Sequence, residues 1–213
     1  MLTIHHLGKS QSERIPWLCE ELGLPYDLKT YTRDAQTILA PPELKALHPI
    51  GAAPLLEDGD VFLAESGAIM DYIIVKYGQG RLVPPPDSPD FAPYLYWFHY
   101  ANGTLQPAMG RLMILNRLSL PPDNPVLQAI QGRLDRAFGL VDARLAETPY
   151  LAGQSFTAAD IITFFSLTTM RYFQPVDITP YPNLRAYLGR VGQRDAYRRA
   201  MQRSDPGMPL LLT

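Results

Sequence analysis

Polar and apolar positions alternate over Leu2–Leu7 (LTIHHL), which predicts a strand, because successive strand side chains face opposite sides. Gly8-Lys9 breaks that pattern. Ile15, Leu18, Cys19 and Leu22 then fall at i, i+3, i+4 and i+7, one apolar helical face. Ser10 and Glu13 ahead of it have the spacing of a capping box. Gly23 ends the helix and Pro25 follows. Tyr26–Tyr31 predicts a second strand, and Pro41-Pro42 opens a short helix that closes near His48-Pro49. Two apolar runs, Pro54–Leu56 and Val61–Leu63, flank Glu57-Asp58-Gly59-Asp60, a hairpin signal because Gly accepts the positive φ of a tight turn. Ile69, Tyr72, Ile73, Val75 and Tyr77 predict a helix directly after the hairpin. The order strand, helix, strand, helix, strand, strand, helix implies a parallel crossover followed by an antiparallel hairpin.

Beyond Tyr77 the pattern changes. The segment Gly78–Pro93 (GQGRLVPPPDSPDFAP) is rich in Pro and Gly, and its triple proline favours a stiff extended connection. Everything after it is helical in period. Tyr94–Leu118 reads as one long helix interrupted by Gly103, Pro107 and Gly110. Leu127, Ile130, Leu134, Phe138, Val141 and Leu145 mark an amphipathic helix over Pro125–Glu147. Thr157 and Asp160 form a second capping box, flanked by Phe156 and Ile161 as a hydrophobic staple. Tyr181–Arg203 reads as one or two helices whose arginines (Arg185, Arg190, Arg194, Arg198, Arg199 and Arg203) form a solvated face. The expected organisation is an α/β domain over 1–78, a linker over 79–91 and an all-helical domain over 92–213.

Composition narrows the function classes. A net charge of −2 offers no general attraction to nucleic acid or an anionic membrane. There is no apolar run long enough to span a bilayer and no basic-then-apolar leader at the N-terminus, so a cytoplasmic location is expected. The single cysteine excludes an internal disulfide and fits a reducing compartment. Cys19 lies on the apolar helical face and reads as a small core residue. No metal site is expected: His5 and His6 are adjacent in a strand and point to opposite faces, while His48 and His99 are isolated. No Ser-His-Asp order or phosphate-binding glycine loop is evident.

Candidate chemistry gathers at two strand-to-helix junctions. Glu65-Ser66-Gly67 puts a carboxylate, a hydroxyl and free backbone N–H groups at a helix start, which is an anion site with an ammonium partner beside it. A ligand with an α-amino-acid head group fits both. Pro54 is either an edge-strand proline or follows a cis bond; a cis bond would turn the N–H and C=O of Ala53 outward, where a peptide can pair as an added strand. At Gly8–Arg14 a bound thiol would meet the positive end of a helix and a hydroxyl donor, both of which favour thiolate. The aromatic segment YLYWFHYANG reads as core plus a subunit interface; should it pack beside the first domain, Tyr100, Met109 and Met113 are candidates for an apolar wall.

The string HPIGAAPLLEDGDVFLAESGAI resembles the glutathione-binding half of cytosolic glutathione S-transferases, and LAGQSFTAAD resembles their helical domain. SQSER is similar to the Ser-Arg-Ser-Gln-Arg motif of a serine-using bacterial and fungal branch. The resemblance implies an N-terminal thioredoxin-like domain followed by a C-terminal helical bundle, glutathione as co-substrate, a small electrophile as acceptor and a homodimer. It implies that Ser10, with Ser12 as the alternative, donates to the glutathione thiolate. It assigns Ala53, Pro54, Glu65 and Ser66 to glutathione. Asn102 stands near the position where relatives carry Glu or Asp, contributed by the partner subunit to the amine of glutathione. Reduction of organic peroxides by the same thiolate is a second expected activity. Ala52 departs from the family, which commonly has Lys or Arg there for a glutathione carboxylate; Lys9, Arg14, Lys45 and His48 are the available substitutes. An interaction protein that keeps the fold without useful catalysis is the alternative function.

Overall fold

A computed structural model describes residues 1–213, which divide into two compact units. The first holds residues 1–82 and 192–210, and the second holds 83–191 and 211–213.

In the first unit the elements follow the order expected from the pattern: β1 (Leu2–Leu7), α1 (Arg14–Leu22), β2 (Tyr26–Tyr31), α2 (Pro42–Lys45), β3 (Leu55–Asp58), β4 (Val61–Ala64) and α3 (Ser66–Tyr77). The sheet order is β2-β1-β3-β4, with β1 and β2 parallel and the β1–β3 and β3–β4 pairs antiparallel. This is a thioredoxin-like domain. Its core is the apolar stripe of α1 (Ile15, Leu18, Cys19, Leu22) together with Ile4, Leu55, Leu56, Ile69 and Ile73. Burial pushes the Cys19 thiol up to about 12, which keeps it an inert packing residue.

Two local terminations have clear causes. Gly23 stops α1 in the left-handed conformation (φ 63°), and Leu24 N–H closes onto the carbonyl of Cys19 at 2.9 Å. At the other end of this unit Asp58 accepts from the hydroxyls of Tyr72 and Tyr77 and from Lys76 Nζ (2.8 Å), tying the hairpin to α3. Those bonds, the one from Lys76 foremost, hold the Asp58 carboxyl down at about 2, below its ordinary 3.8. A depressed carboxylate contributes stability that is present above 3.8 and lost as pH falls through about 2. Asp58→Asn is therefore expected to be less stable than wild type at neutral pH, and the gap in urea midpoints should close as the pH is lowered across that interval. A gap that stays constant with pH would remove the ion pair from the explanation.

The second unit contains α4 (Phe91–Tyr100), α5 (Gln106–Leu115), α6 (Pro125–Glu147), α7 (Ala158–Leu167) and α8 (Pro182–Val191). The long helix expected over Tyr94–Leu118 is divided: residues Ala101–Leu105 form a π-helical turn between α4 and α5. Pro107 explains the division, because it has no N–H for the helical ladder and its ring crowds the carbonyl four residues back. Asn124 caps α6, its side chain accepting from the N–H groups of Val126 and Leu127. The Thr157–Asp160 capping box is present at the start of α7. Asp160 is fully buried and also accepts from Leu151 N–H (3.0 Å) and Tyr187 O–H (3.0 Å). Burial drives its carboxyl up to about 6 while these donors pull it back.

The expectation of one helical domain over 92–213 needs correction. Helix α9 (Asp195–Ser204) packs on α1 in the first unit, burying Ala196, Tyr197, Ala200 and Met201. The arginines expected as a solvated face are partly engaged there. Arg194 forms a bidentate pair with Glu21 (2.7 and 2.7 Å), and Arg199 and Arg203 reach Glu20 at 2.8 and 3.0 Å. The reason is charge placement: α1 carries Glu20-Glu21 beside its apolar stripe, and α9 brings cations on the flank of its own. No helix of the chain is long and apolar enough to cross a membrane.

Candidate active site

The loop from Gly8 to Glu13 connects β1 to α1 and is fastened from both sides. Lys9 sits at φ 53°, its N–H donating to Asp205 Oδ1 at 2.9 Å. Arg33, just past β2, donates to the carbonyls of Gly8 (2.9 Å), Lys9 (3.0 Å) and Ile38 (2.8 Å). A cavity of about 580 Å³ on this side is lined by Gly8, Lys9, Tyr31, Arg33, Asp205 and Met208, among others.

Ser10 caps the short 3₁₀ turn Gln11–Glu13 that precedes α1. Its Oγ accepts from Ser12 N–H at 3.2 Å, so the hydroxyl binds two residues on rather than three, and the expected reciprocal box with Glu13 is replaced by the turn bond from Glu13 N–H to the Ser10 carbonyl (3.1 Å). Ser10 keeps 7% of its surface and Ser12 keeps 0%. Ser12 Oγ is enclosed by Leu7 N–H (3.1 Å), Ser10 Oγ (2.6 Å) and His6 Nδ1 (2.8 Å). Both candidate thiolate donors are therefore buried, and only Ser10 retains any surface.

Glu65 and Ser66 open α3. Glu65 is exposed at φ 69°, ψ 114°, a sparsely populated conformation for a side-chain-bearing residue and one that costs about 1–3 kcal/mol. Such strain concentrates at ligand clamps. The Glu65 side chain makes no cap bond to this 12-residue helix, whose start carries the positive end of the helix dipole. Ser66 is buried and accepts from Arg14 Nη1 at 2.9 Å, and the same nitrogen donates to Gln11 Oε1 at 3.0 Å. Arg14 thus joins the Ser10 loop to the start of α3. It is fully buried, and desolvation lowers its guanidinium to about 9 against the opposing charge of Glu13. The Ala53–Pro54 peptide bond is cis, and the strand ladder begins only at Leu55, opposite His5 and Ala64. Ala53 packs with Leu7, Leu44 and Leu55, next to the Ser10 loop.

Other expected site residues stand apart from this constellation. Met109 is wholly buried, and Tyr100 is 6% exposed with its hydroxyl donating to the Ala137 carbonyl at 3.1 Å. Met109 is thus a packing residue, whereas Tyr100 lines a cavity of about 320 Å³ with Gly103, Thr104, Ala108 and Arg111, and Met113 is half-buried. Asn102 lies half-buried on the π-helical turn. His5 and His6 do face opposite sides: His5 meets Tyr31 and Glu57 at 2.8 and 2.7 Å, and His6 meets Ser12 and Asp205. Here the sequence expectation is corrected, because Ser12, His6 and Asp205 do form a hydrogen-bonded serine–histidine–aspartate chain. Asp205 is 199 residues from His6, so no local spacing could reveal it. Gln11 was also missed; a buried cation needs partners on every side, and those follow from packing.

Comparison with known proteins identifies the family. The glutathione S-transferase N-terminal domain profile matches residues 3–74, and the C-terminal domain profile matches 124–190. Glutathione S-transferase 3 of Schizosaccharomyces pombe is 30% identical over 95% of this chain and 88% of its own length. Glutathione S-transferase GstB of Escherichia coli K12 is 32% identical over 85% and 88%. A crystal structure of a glutathione S-transferase from Actinobacillus pleuropneumoniae superposes with a TM-score of 0.88 at 32% identity, covering 96% of this chain and 93% of the other. The chain belongs to the glutathione S-transferase family.

Proposed function

We propose that this protein binds glutathione in the first unit and transfers its thiolate to small electrophiles, in the reducing cytoplasm and as a homodimer. The observation that carries the reading is the Gln11–Arg14–Ser66 bridge, which ties the loop that holds Ser10 to the start of α3. In this reading the α3 N–H groups and Ser66 hold the γ-glutamyl carboxylate, Glu65 holds its ammonium, the Ala53 main chain pairs with the peptide, and Ser10 donates to sulfur. Asn102 of a partner subunit is a further polar neighbour for the amine. Lys45 takes over the task that Ala52 leaves open: a methyl on Gly51 would stand 3.6 Å from Lys45 Cγ, so the exposed ammonium lies within reach of the loop before Pro54.

Calorimetric titration with glutathione, followed by thioether formation with a panel of electrophiles and a parallel assay with organic peroxides, tests the proposal. Saturable binding with turnover is expected; binding without turnover on any panel member would favour the interaction-protein reading. Lys45→Ala is expected to weaken glutathione about tenfold, the loss of one charged hydrogen bond. Glu65→Ala should go further and abolish retention on immobilised glutathione. Retention of Glu65→Ala at wild-type level would move the ammonium site elsewhere.

A further inference from the structure

We infer that Ser10, Ser12, His6 and Asp205 form a proton relay that takes the proton from the thiol of bound glutathione; the inference rests on the glutathione reading above. All four residues lie in the first unit. The oxygen and nitrogen atoms run in a line: Ser10 Oγ to Ser12 Oγ at 2.6 Å, Ser12 Oγ to His6 Nδ1 at 2.8 Å, and His6 Nε2 to Asp205 Oδ2 at 3.1 Å. His6 and Ser12 are fully buried, so no water replaces either partner. Besides His6, Asp205 holds the Lys9 N–H, and Arg33, on the neighbouring carbonyls of Gly8 and Lys9, is the cation that faces it.

Donor and acceptor counting fixes the direction of the chain. An ionised Asp205 only accepts, so His6 Nε2 carries a proton and Nδ1 is an acceptor. Ser12 donates to Nδ1, because its other acceptor, the Leu7 carbonyl at 3.4 Å, is too long to compete. Ser12 Oγ also accepts Leu7 N–H, so the short contact to Ser10 is filled by the Ser10 proton. Ser10 accepts Ser12 N–H and has one lone pair left. In this state Ser10 has no proton to offer a thiolate; it can only accept one from a thiol.

Thiol binding resolves that conflict. The S–H proton passes to Ser10 Oγ, the Ser10 proton passes to Ser12 Oγ, and the Ser12 proton passes to His6 Nδ1. The S–H bond breaks, an N–H bond forms on His6, and the electron pair stays on sulfur. Afterwards every bond in the line points the other way: His6 donates to Ser12, Ser12 to Ser10 and Ser10 to the thiolate. The new imidazolium faces the Asp205 carboxylate. Asp205 and His6 are positioning and proton-holding residues; only Ser10 touches substrate.

The test is a proton count. Glutathione is titrated into the protein near neutral pH in buffers of different ionisation enthalpy, and the ultraviolet thiolate band is recorded in parallel. The relay predicts a thiolate band with no net proton released to buffer, since His6 retains it. A band accompanied by one released proton per site would overturn the relay while leaving glutathione binding intact. Absence of binding would overturn the glutathione reading, and the relay with it. In His6→Asn, whose amide keeps a hydrogen bond to Ser12 but cannot hold the proton, thiolate formation should release one proton. Its kcat/KM should fall about a hundredfold, the low end of what a positioned proton acceptor contributes. Unchanged kcat/KM and proton count in folded His6→Asn would also overturn it. The wild-type count decides the matter even if that variant does not fold.

Discussion

Ser10→Ala is expected to lower kcat/KM with an activated aryl halide by about 10- to 100-fold while glutathione binding stays close to wild type. The magnitude follows from removing one hydrogen bond to a charged sulfur, worth about 1.5–3 kcal/mol, at 1.36 kcal/mol per decade of rate. The split between turnover and binding follows from position. The proposed grip on the tripeptide comes from Glu65, Ser66 and the Ala53 main chain, whereas Ser10 meets only the reacting atom. Its structural bonds are both to one neighbour, Ser12 N–H at 3.2 Å and Ser12 Oγ at 2.6 Å, and Ser12 Oγ keeps Leu7 N–H and His6 Nδ1 as partners, so the variant should fold. Ser12→Ala behaves differently: it leaves Leu7 N–H and His6 Nδ1 without a buried partner and should lose stability as well as activity. Full activity in Ser10→Ala, with loss confined to Ser12→Ala, would transfer the thiolate role to Ser12.

The second large effect is on folding. Asp160→Ala is expected to destabilise the helical unit by at least about 3 kcal/mol, because four buried donors (Leu151 N–H, Thr157 N–H, Thr157 O–H and Tyr187 O–H) lose their acceptor at ~1–3 kcal/mol each. Thr157→Ala removes only the cap hydroxyl and should cost about 1 kcal/mol. Asp160→Asn, which keeps one acceptor oxygen, should fall between them. Urea unfolding followed by tryptophan fluorescence and by helical circular dichroism measures all three. If Asp160→Ala and Thr157→Ala prove equal, Asp160 acts as a helix cap alone and its bonds to the Leu151 loop and α8 contribute nothing.

These two residues also show how differently function and folding are written along the chain. The Thr157–Asp160 box was legible because a cap is local: its partners are three residues apart and the spacing is the signal. The further attachments of Asp160, to Tyr187 on another helix, were not, since they depend on which helix packs where. Ser10 stood out as a helix-start hydroxyl, but its bond to Ser12 Oγ, and the full enclosure of Ser12, needed the fold. The burial of the expected apolar wall was likewise not legible. Tyr100, Met109 and Met113 are all large apolar residues of one helical stretch, and residue type does not say how deeply each is covered.

By itself the sequence determined the element order of the first unit, the punctuation of its helices and the two junctions where chemistry collects. Those features arise from residues a few positions apart, where φ preferences, caps and side-chain period act directly. Tertiary structure alone decided that α9 returns to α1, that Arg14 links Gln11 to Ser66, and that Asp205 closes on His6. Each of these joins groups far apart in the chain or buries a charge. They exist because sheet pairing and core packing first bring the backbone together, after which buried polar atoms take whatever partners lie within reach.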